Sequence, residues 1–197
     1  MMAIQEFHLV DKQTGFPIEV CLIDDEGYIP ENCVKGWGQD EVFYKPRYDF
    51  NKGKWVESLP ISEIIAPQRE GKVNQINLEC QAKIRKGFYF GEDFLGFSDT
   101  DQANFNQQLS LLLLDPSIDS VIWKTENNGI KKYSREEFIQ ACKTGEVHKR
   151  YSIAHYWRLK EYILTHSFST LEEFNSIDFS FNFEVSTNNN TNNSVGA

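Results

Sequence analysis

Four histidines, four cysteines and one run of carboxylates are where any chemistry in this chain would have to come from. His8, His148, His155 and His166 form no HExxH or similar helical metal pattern. His148 and His155 lie seven residues apart, on one helix face but two turns distant, too far to chelate one ion directly. All four read as structural histidines. Glu92, Asp93, Asp99 and Asp101 invite a test as a cation site, because calcium takes six or more oxygens along a glycine-bearing loop. The glycine and closing glutamate of such a loop are missing, and helix capping accounts for Asp99 and Asp101. Cys21, Cys33, Cys80 and Cys142 are widely spaced, with no CxxC pair. They fit neither a zinc site nor a dense disulfide framework, so reduced and mostly buried thiols are expected. GxSxG, GxGxxG and a phosphate-cradling glycine loop are absent. The adjacent pair Asp24-Asp25 reads as a turn, and Glu136-Glu137 as a match to a helix dipole. The expectation is a protein that is not an enzyme, with no catalytic residues, no cofactor and no metal.

Charge narrows the partners. Twenty Lys and Arg face twenty-nine Asp and Glu, giving a formal charge of −9. A nucleic-acid backbone requires clustered basic residues that release counterions, and the densest run here is only His148-Lys149-Arg150. No nucleic-acid partner is expected. The longest apolar run is Leu111 to Leu114, far short of the ~20 residues that span a bilayer, so no membrane insertion is expected. The N-terminus lacks the basic head and apolar stretch of a signal peptide. Aromatic residues make up 14% of the chain, enough to build a real core.

The elements that must carry these residues fall into an α+β arrangement. Residues 1–60 read as a small β-rich module of hairpins. Phe16 to Ile23 is apolar and β-branched, and Asp24, Asp25 and Gly27 break it. Phe43 to Glu57 reads as a hairpin around Asn51-Lys52-Gly53, with Pro46 confining the first arm to an edge. Its aromatic and basic character marks Tyr44, Arg47, Tyr48 and Trp55 as candidate partner-binding residues. The competing reading makes them the wall of a small β-core. A linker is expected at 61–71, with a helical turn at Ile61 to Ile65.

A mainly helical domain with short hairpins follows, over 72–185. Val73, Ile76, Cys80 and Ile84 recur at helical spacing, and Gly87 stops that helix after Arg85 and Lys86. Phe88 to Ser98 reads as two short aromatic strands. Asp99 with Gln102 suggests a capping box, opening a helix lined by Ala103, Phe105, Leu109, Leu112 and Leu113 and ending before Pro116. Asn127-Asn128-Gly129 between Val121–Thr125 and Ile130–Tyr133 signals a hairpin. Ser134 with Glu137 opens a helix through Cys142, which Gly145 ends or kinks. A longer helix from Glu146 to about His166 is lined by Val147, Tyr151, Ala154, Trp157, Tyr162 and Ile163. Ser169 with Glu172, or Thr170 with Glu173, opens a last short helix. The Asn- and Thr-rich residues 186–197 are expected to be disordered.

As an ordered series these motifs resemble a known domain. The series runs Cys80-x3-Ile84-x2-Gly87-Phe88, Asp101-Gln102-x-Asn104-Phe105, Ile122-Trp123, Gly129, Tyr133-Ser134-x2-Glu137-Phe138, His148, Leu159, Ile163 and Leu171-Glu172-Glu173-x3-Ile177. It is similar to an uncharacterised domain found in tail-fibre and baseplate-associated proteins of phages and prophages. Upstream, Tyr44-Lys45-Pro46-Arg47-Tyr48-Asp49 with Lys54-Trp55-Val56-Glu57 resembles a segment that often precedes that domain. The family commonly carries a longer loop, with a His-Thr-Tyr-like stretch, where this chain has Gly91 to Ser98. The resemblance implies a virion tail location after synthesis in the bacterial cytoplasm, other tail or baseplate proteins as partners, and no catalytic residues to carry over. The sequence leaves open a homo-oligomer. It also leaves open a soluble phage protein that binds a host or defence protein through its acidic surface.

Overall fold

Strand alternation gives way to helical period across residues 61–71, and the computed structural model describes the chain on either side. It describes residues 4–24, 26–38 and 41–183. The tail expected to be disordered lies outside them. Two compact units meet in sequence at Pro67/Gln68, inside the segment expected to be a linker.

The first unit opens with β1 (Ile4–Val10), which pairs antiparallel with β2 (Pro17–Asp24) on one side and β3 (Cys33–Lys35) on the other. The turn after β1 is held by Asp11. Its carboxylate accepts from the amides of Gln13 and Thr14, at 2.9 and 2.7 Å. A separate hairpin joins β4 (Pro46–Asp49) to β5 (Lys54–Glu57), with Asp49 accepting from the amides of Asn51 and Lys52 at its turn. Helix α1 (Ile61–Ile65) and a 3₁₀ turn at Ala66–Gln68 follow, and Ile64 and Ile65 are buried. The β-rich module and the short helical turn are therefore as the residue pattern predicts. β1 and β3 add two strands that no individual sequence signal marked.

In the second unit α2 (Arg69–Lys86) packs along α4 (Arg135–Thr165). Two hairpins, β6 (Phe88–Phe90) with β7 (Asp93–Leu95) and β8 (Ser120–Thr125) with β9 (Gly129–Ser134), flank α3 (Asp99–Leu114) in the chain. The short α5 (Leu171–Asn175) follows α4. The core is aromatic. Phe105 stacks on Phe138 at 5.5 Å, Trp123 lies 5.0 Å from Phe138, and Phe88 meets Phe97 edge-on at 5.2 Å. Two arginines satisfy orphan carbonyls at helix C-termini, where a cation also suits the helix dipole. Arg69 donates to the carbonyls of Ile163 and His166, and Arg135 to those of Leu112, Asp115 and Ile118.

Several boundaries differ from the sequence reading, each for a local reason. The N-cap of α3 is Ser98, not Asp99. The Ser98 hydroxyl accepts from the Asp101 amide at 3.2 Å, and the Asp101 carboxylate accepts from the Ser98 amide at 2.9 Å. Gln102 is thereby released to bond elsewhere, donating to the Phe97 carbonyl and accepting from Lys149. On α3 only Phe105 and Leu112 are fully buried, whereas Ala103 and Leu113 are exposed. The capping box at Ser134 and Glu137 is present as expected, and Thr170 caps α5.

Gly145 neither ends nor kinks its helix. α4 runs unbroken for 31 residues, and Gly145 is buried within it. A Cβ there would stand 2.7 Å from a Phe88 ring carbon and 3.0 Å from Phe97. The glycine lets two aromatic rings touch the helix backbone, which no larger residue permits. The second correction on α4 is its buried face. Phe138, Ala141, Gly145, Ser152, Leu159 and Ile163 point inward, while Val147, Tyr151, Ala154 and Trp157 lie outside.

Candidate functional site

The hairpin residues singled out for partner contact divide by strand alternation. Tyr48 and Trp55 are directly opposite each other in the β4–β5 register, so they share a face; Arg47 and Val56 share the other. The first face is turned inward. Trp55 is 8% exposed and its indole N–H donates to the Lys35 carbonyl at 2.8 Å. The ring sits edge-on to His8, Trp37 and Tyr48 at 5.3, 4.9 and 5.5 Å. Trp55 and Tyr48 thus serve as wall of the β-core. Arg47 is exposed, and Tyr44 is 52% exposed. The strand end beneath them is closed by Glu57. Burial pushes its carboxyl up, but hydrogen bonds from the amides of Leu59, Tyr44 and Lys45 outweigh that and hold it below the usual range.

The acidic residues considered as a cation site go separate ways. Asp99 pairs with Arg85 at 3.2 Å, Asp101 caps α3, and Glu92 is exposed. Asp93 is buried between the two hairpins of the second unit. Its carboxylate accepts from Lys131 Nζ at 2.5 Å, Asn128 Nδ2 at 2.8 Å and Tyr133 Oη at 2.7 Å. These bonds, with the charge of Lys131, lower its pKa to about 2. Burial, then the hydrogen bond to Asp93, pushes the Tyr133 hydroxyl well up. A carboxylate so acidic is a poor base at neutral pH, and a phenol so basic is a poor acid. The cluster is chemically quiet and fastens one hairpin to the other. Asn127 completes the fastening by accepting from the Phe94 amide and donating to the Glu92 carbonyl, both at 2.8 Å. Sequence reading took Asn127-Asn128 only as a turn, because their partners lie about 35 residues away.

Asp93 makes a pH prediction with a definite sign. Its folded pKa is below the ordinary aspartate value of 3.8, so the stabilisation is fully present above that value and is lost as pH falls toward 2. Urea midpoints of the wild type and of Asp93→Asn, taken from pH 7 to pH 2, are expected to differ by a constant gap above pH 5. That gap closes between pH 4 and pH 2. A gap that persists unchanged to pH 2 contradicts the assignment.

The remaining candidates have ordinary partners. His8 lies 2.9 Å from Glu6 and stacks on Trp37; His148, His155 and His166 face Lys83 O, Phe179 O and Glu173. The four cysteines are free thiols, with Cys33 and Cys80 buried and Cys21 and Cys142 half-buried. Among the described residues no three His, Cys, Asp or Glu side chains are placed to share a metal ion. No helix among them is long and apolar enough to cross a membrane.

Apolar surface is conspicuous in both units. In the first unit, β2 lies at a sheet edge and carries Ile18, Val20 and Leu22 outward. In the second, α3 and α4 border an apolar groove of about 740 Å³, with Phe105, Leu109 and Leu113 on one wall and Ile139, Cys142 and Val147 on the other.

Comparison with known proteins agrees with this division. Residues 4–66 match the phage YomQ N-terminal domain, and residues 67–180 match the domain of unknown function DUF4376. No curated protein and no solved structure matches the chain. Since the second match spans more than half of its length, the chain belongs to the DUF4376 family, and it carries a phage YomQ N-terminal domain ahead of that family's domain.

Proposed function

We propose that this protein is a tail accessory protein of a phage or prophage, either a baseplate or tail-fibre component or a fibre-assembly factor. It works by binding other tail or baseplate proteins and catalyses no reaction. The observation that carries the reading is the presence of a phage N-terminal domain ahead of a unit whose buried carboxylate, Asp93, is held by Asn128, Lys131 and Tyr133 in fastening two hairpins. The apolar edge of β2 and the exposed Tyr44 and Arg47 supply a contact surface on the N-terminal unit. An edge strand with apolar side chains pairs readily with another chain.

Mass spectrometry of purified tail particles and of fibre-assembly complexes tests this. The chain is expected in one of them, and its recovery is expected to fall when Tyr44→Ala and Arg47→Glu are combined. Absence from both overturns the reading. Recovery instead on a host protein from lysate, without any tail component, would point to the acidic host-binding alternative.

A further inference from the structure

The outward face of α4 has a pattern that a folded monomer does not require. Val147, Arg150, Ala154, Trp157, Glu161 and Leu164 follow one another at alternating steps of three and four. This is the a/d repeat of a coiled-coil seam. All six are exposed, with Val147, Trp157 and Leu164 at 46%, 64% and 47%. The inward face of the same helix is formed by Phe138, Gly145, Ser152 and Leu159, at the opposite heptad position. Among the described residues none of these six is buried in the core of the unit. From Val147 to Leu164 the seam extends about 26 Å at 1.5 Å per residue.

We propose that this seam is a homodimer interface, in which α4 of a second copy of this chain lies antiparallel on α4. Self-complementarity identifies the occupant. In an antiparallel pair each a position faces a d position, and one register sets Val147 against Leu164 of the other copy. The same register sets Arg150 against Glu161 and Ala154 against Trp157. Two-fold symmetry repeats each layer. The outer layers are apolar, the next pair opposite charges, and the central ones place the smallest side chain opposite the largest. Among the described residues neither Arg150 nor Glu161 takes part in an ion pair within the chain. A parallel pairing would instead put Arg150 against Arg150 and Trp157 against Trp157. Leu113 of α3 lines the same groove as Val147, so the incoming Leu164 meets a second apolar wall.

Sedimentation or light-scattering mass of the full chain at roughly 50 µM, a level at which a micromolar dimer is well populated, tests the proposal. The expected mass is twice 22.9 kDa. Arg150→Glu and Glu161→Arg, each placing like charges in two symmetric layers, are each expected to weaken the dimer on the order of 100-fold. The double variant restores the opposite pairing and with it the dimer. Helical circular dichroism, equal in all four proteins, separates this from misfolding. A monomeric wild type overturns the proposal, whether the N-terminal unit or a different protein covers the seam. An oligomer indifferent to both single substitutions, or a double variant that stays monomeric, overturns it equally.

Discussion

Replacing Phe138 by Ala is expected to destabilise the second unit by about 3–5 kcal/mol, the range for emptying a buried aromatic site. Phe138 is 1% exposed. It is the first inward aromatic of α4, one turn after the Ser134 capping box that fixes where the helix starts. Its ring stacks on Phe105 and touches Trp123, so a single side chain joins α4, α3 and β8. Each of those neighbours is held on a separate element, and the rigid aromatic layer cannot collapse easily into the space. The cost should therefore sit toward the upper part of the range. Hydrogen exchange reads it directly: slowly exchanging α4 amides are expected to lose about 10²- to 10⁴-fold protection, at 1.4 kcal/mol per factor of ten. Helix α4 should still form, because its cap and its Arg69 and Arg135 contacts are untouched. A loss below tenfold would mean that Phe105 and Trp123 hold the layer without it.

How far such a core was legible in the sequence varies with the kind of signal. Turn and cap chemistry is local, and most of it was readable, although at α3 the Ser98-x2-Asp101 box was passed over for Asp99 with Gln102. Asn127-Asn128-Gly129 marks a hairpin and Ser134-x2-Glu137 marks a helix start because the partners lie within a few residues. The buried face of α4 was readable at Ile163 but not along most of its length, and the reason is physical. Close approach of Phe88, Phe97 and α2 demands Ala141, Gly145 and Ser152 on the inward side. Those small residues dilute the apolar signal of the true core face. The outward side carries Val147, Tyr151, Trp157 and Leu164, so apolar periodicity selects the wrong stripe. The same limit applies to the hairpin of the first unit. Alternation says that Tyr48 and Trp55 share a face, but only the fold shows that His8 and Trp37 cover it. Asp93 is an extreme case, since its three partners lie 35–40 residues away and no short pattern records them. Family resemblance, which rests on the order of many short motifs, indicated a phage-associated family where no individual motif could.

Gly87→Ala is the substitution expected to rival Phe138→Ala while removing no contact at all. Gly87 follows α2 with φ 111° and ψ −173°, a backbone conformation essentially reserved for glycine. A Cβ built there would stand 2.1 Å from the carbonyl oxygen of Leu95, a backbone atom that cannot swing aside. The two costs have different origins. Backbone strain in this region is about 1–3 kcal/mol, and forced displacement of packed neighbours adds about 1–3 kcal/mol more. Gly87 directly precedes β6, whose Phe88 pairs with Leu95, so relief of the clash means parting the β6–β7 hairpin. That would in turn withdraw Phe88 from Phe97 and Gly145, and Asp93 from Lys131, Asn128 and Tyr133. Gly91, at the tip of the same hairpin, is the matched control. It also has positive φ, 61°, but a Cβ there meets nothing within 4 Å. Gly91→Ala is expected to cost only the left-handed penalty of about 1–2 kcal/mol. Urea denaturation of both variants followed by Trp fluorescence checks the ordering. Equal midpoints would show that conformational preference alone decides, and that the Leu95 carbonyl yields more easily than a paired strand should.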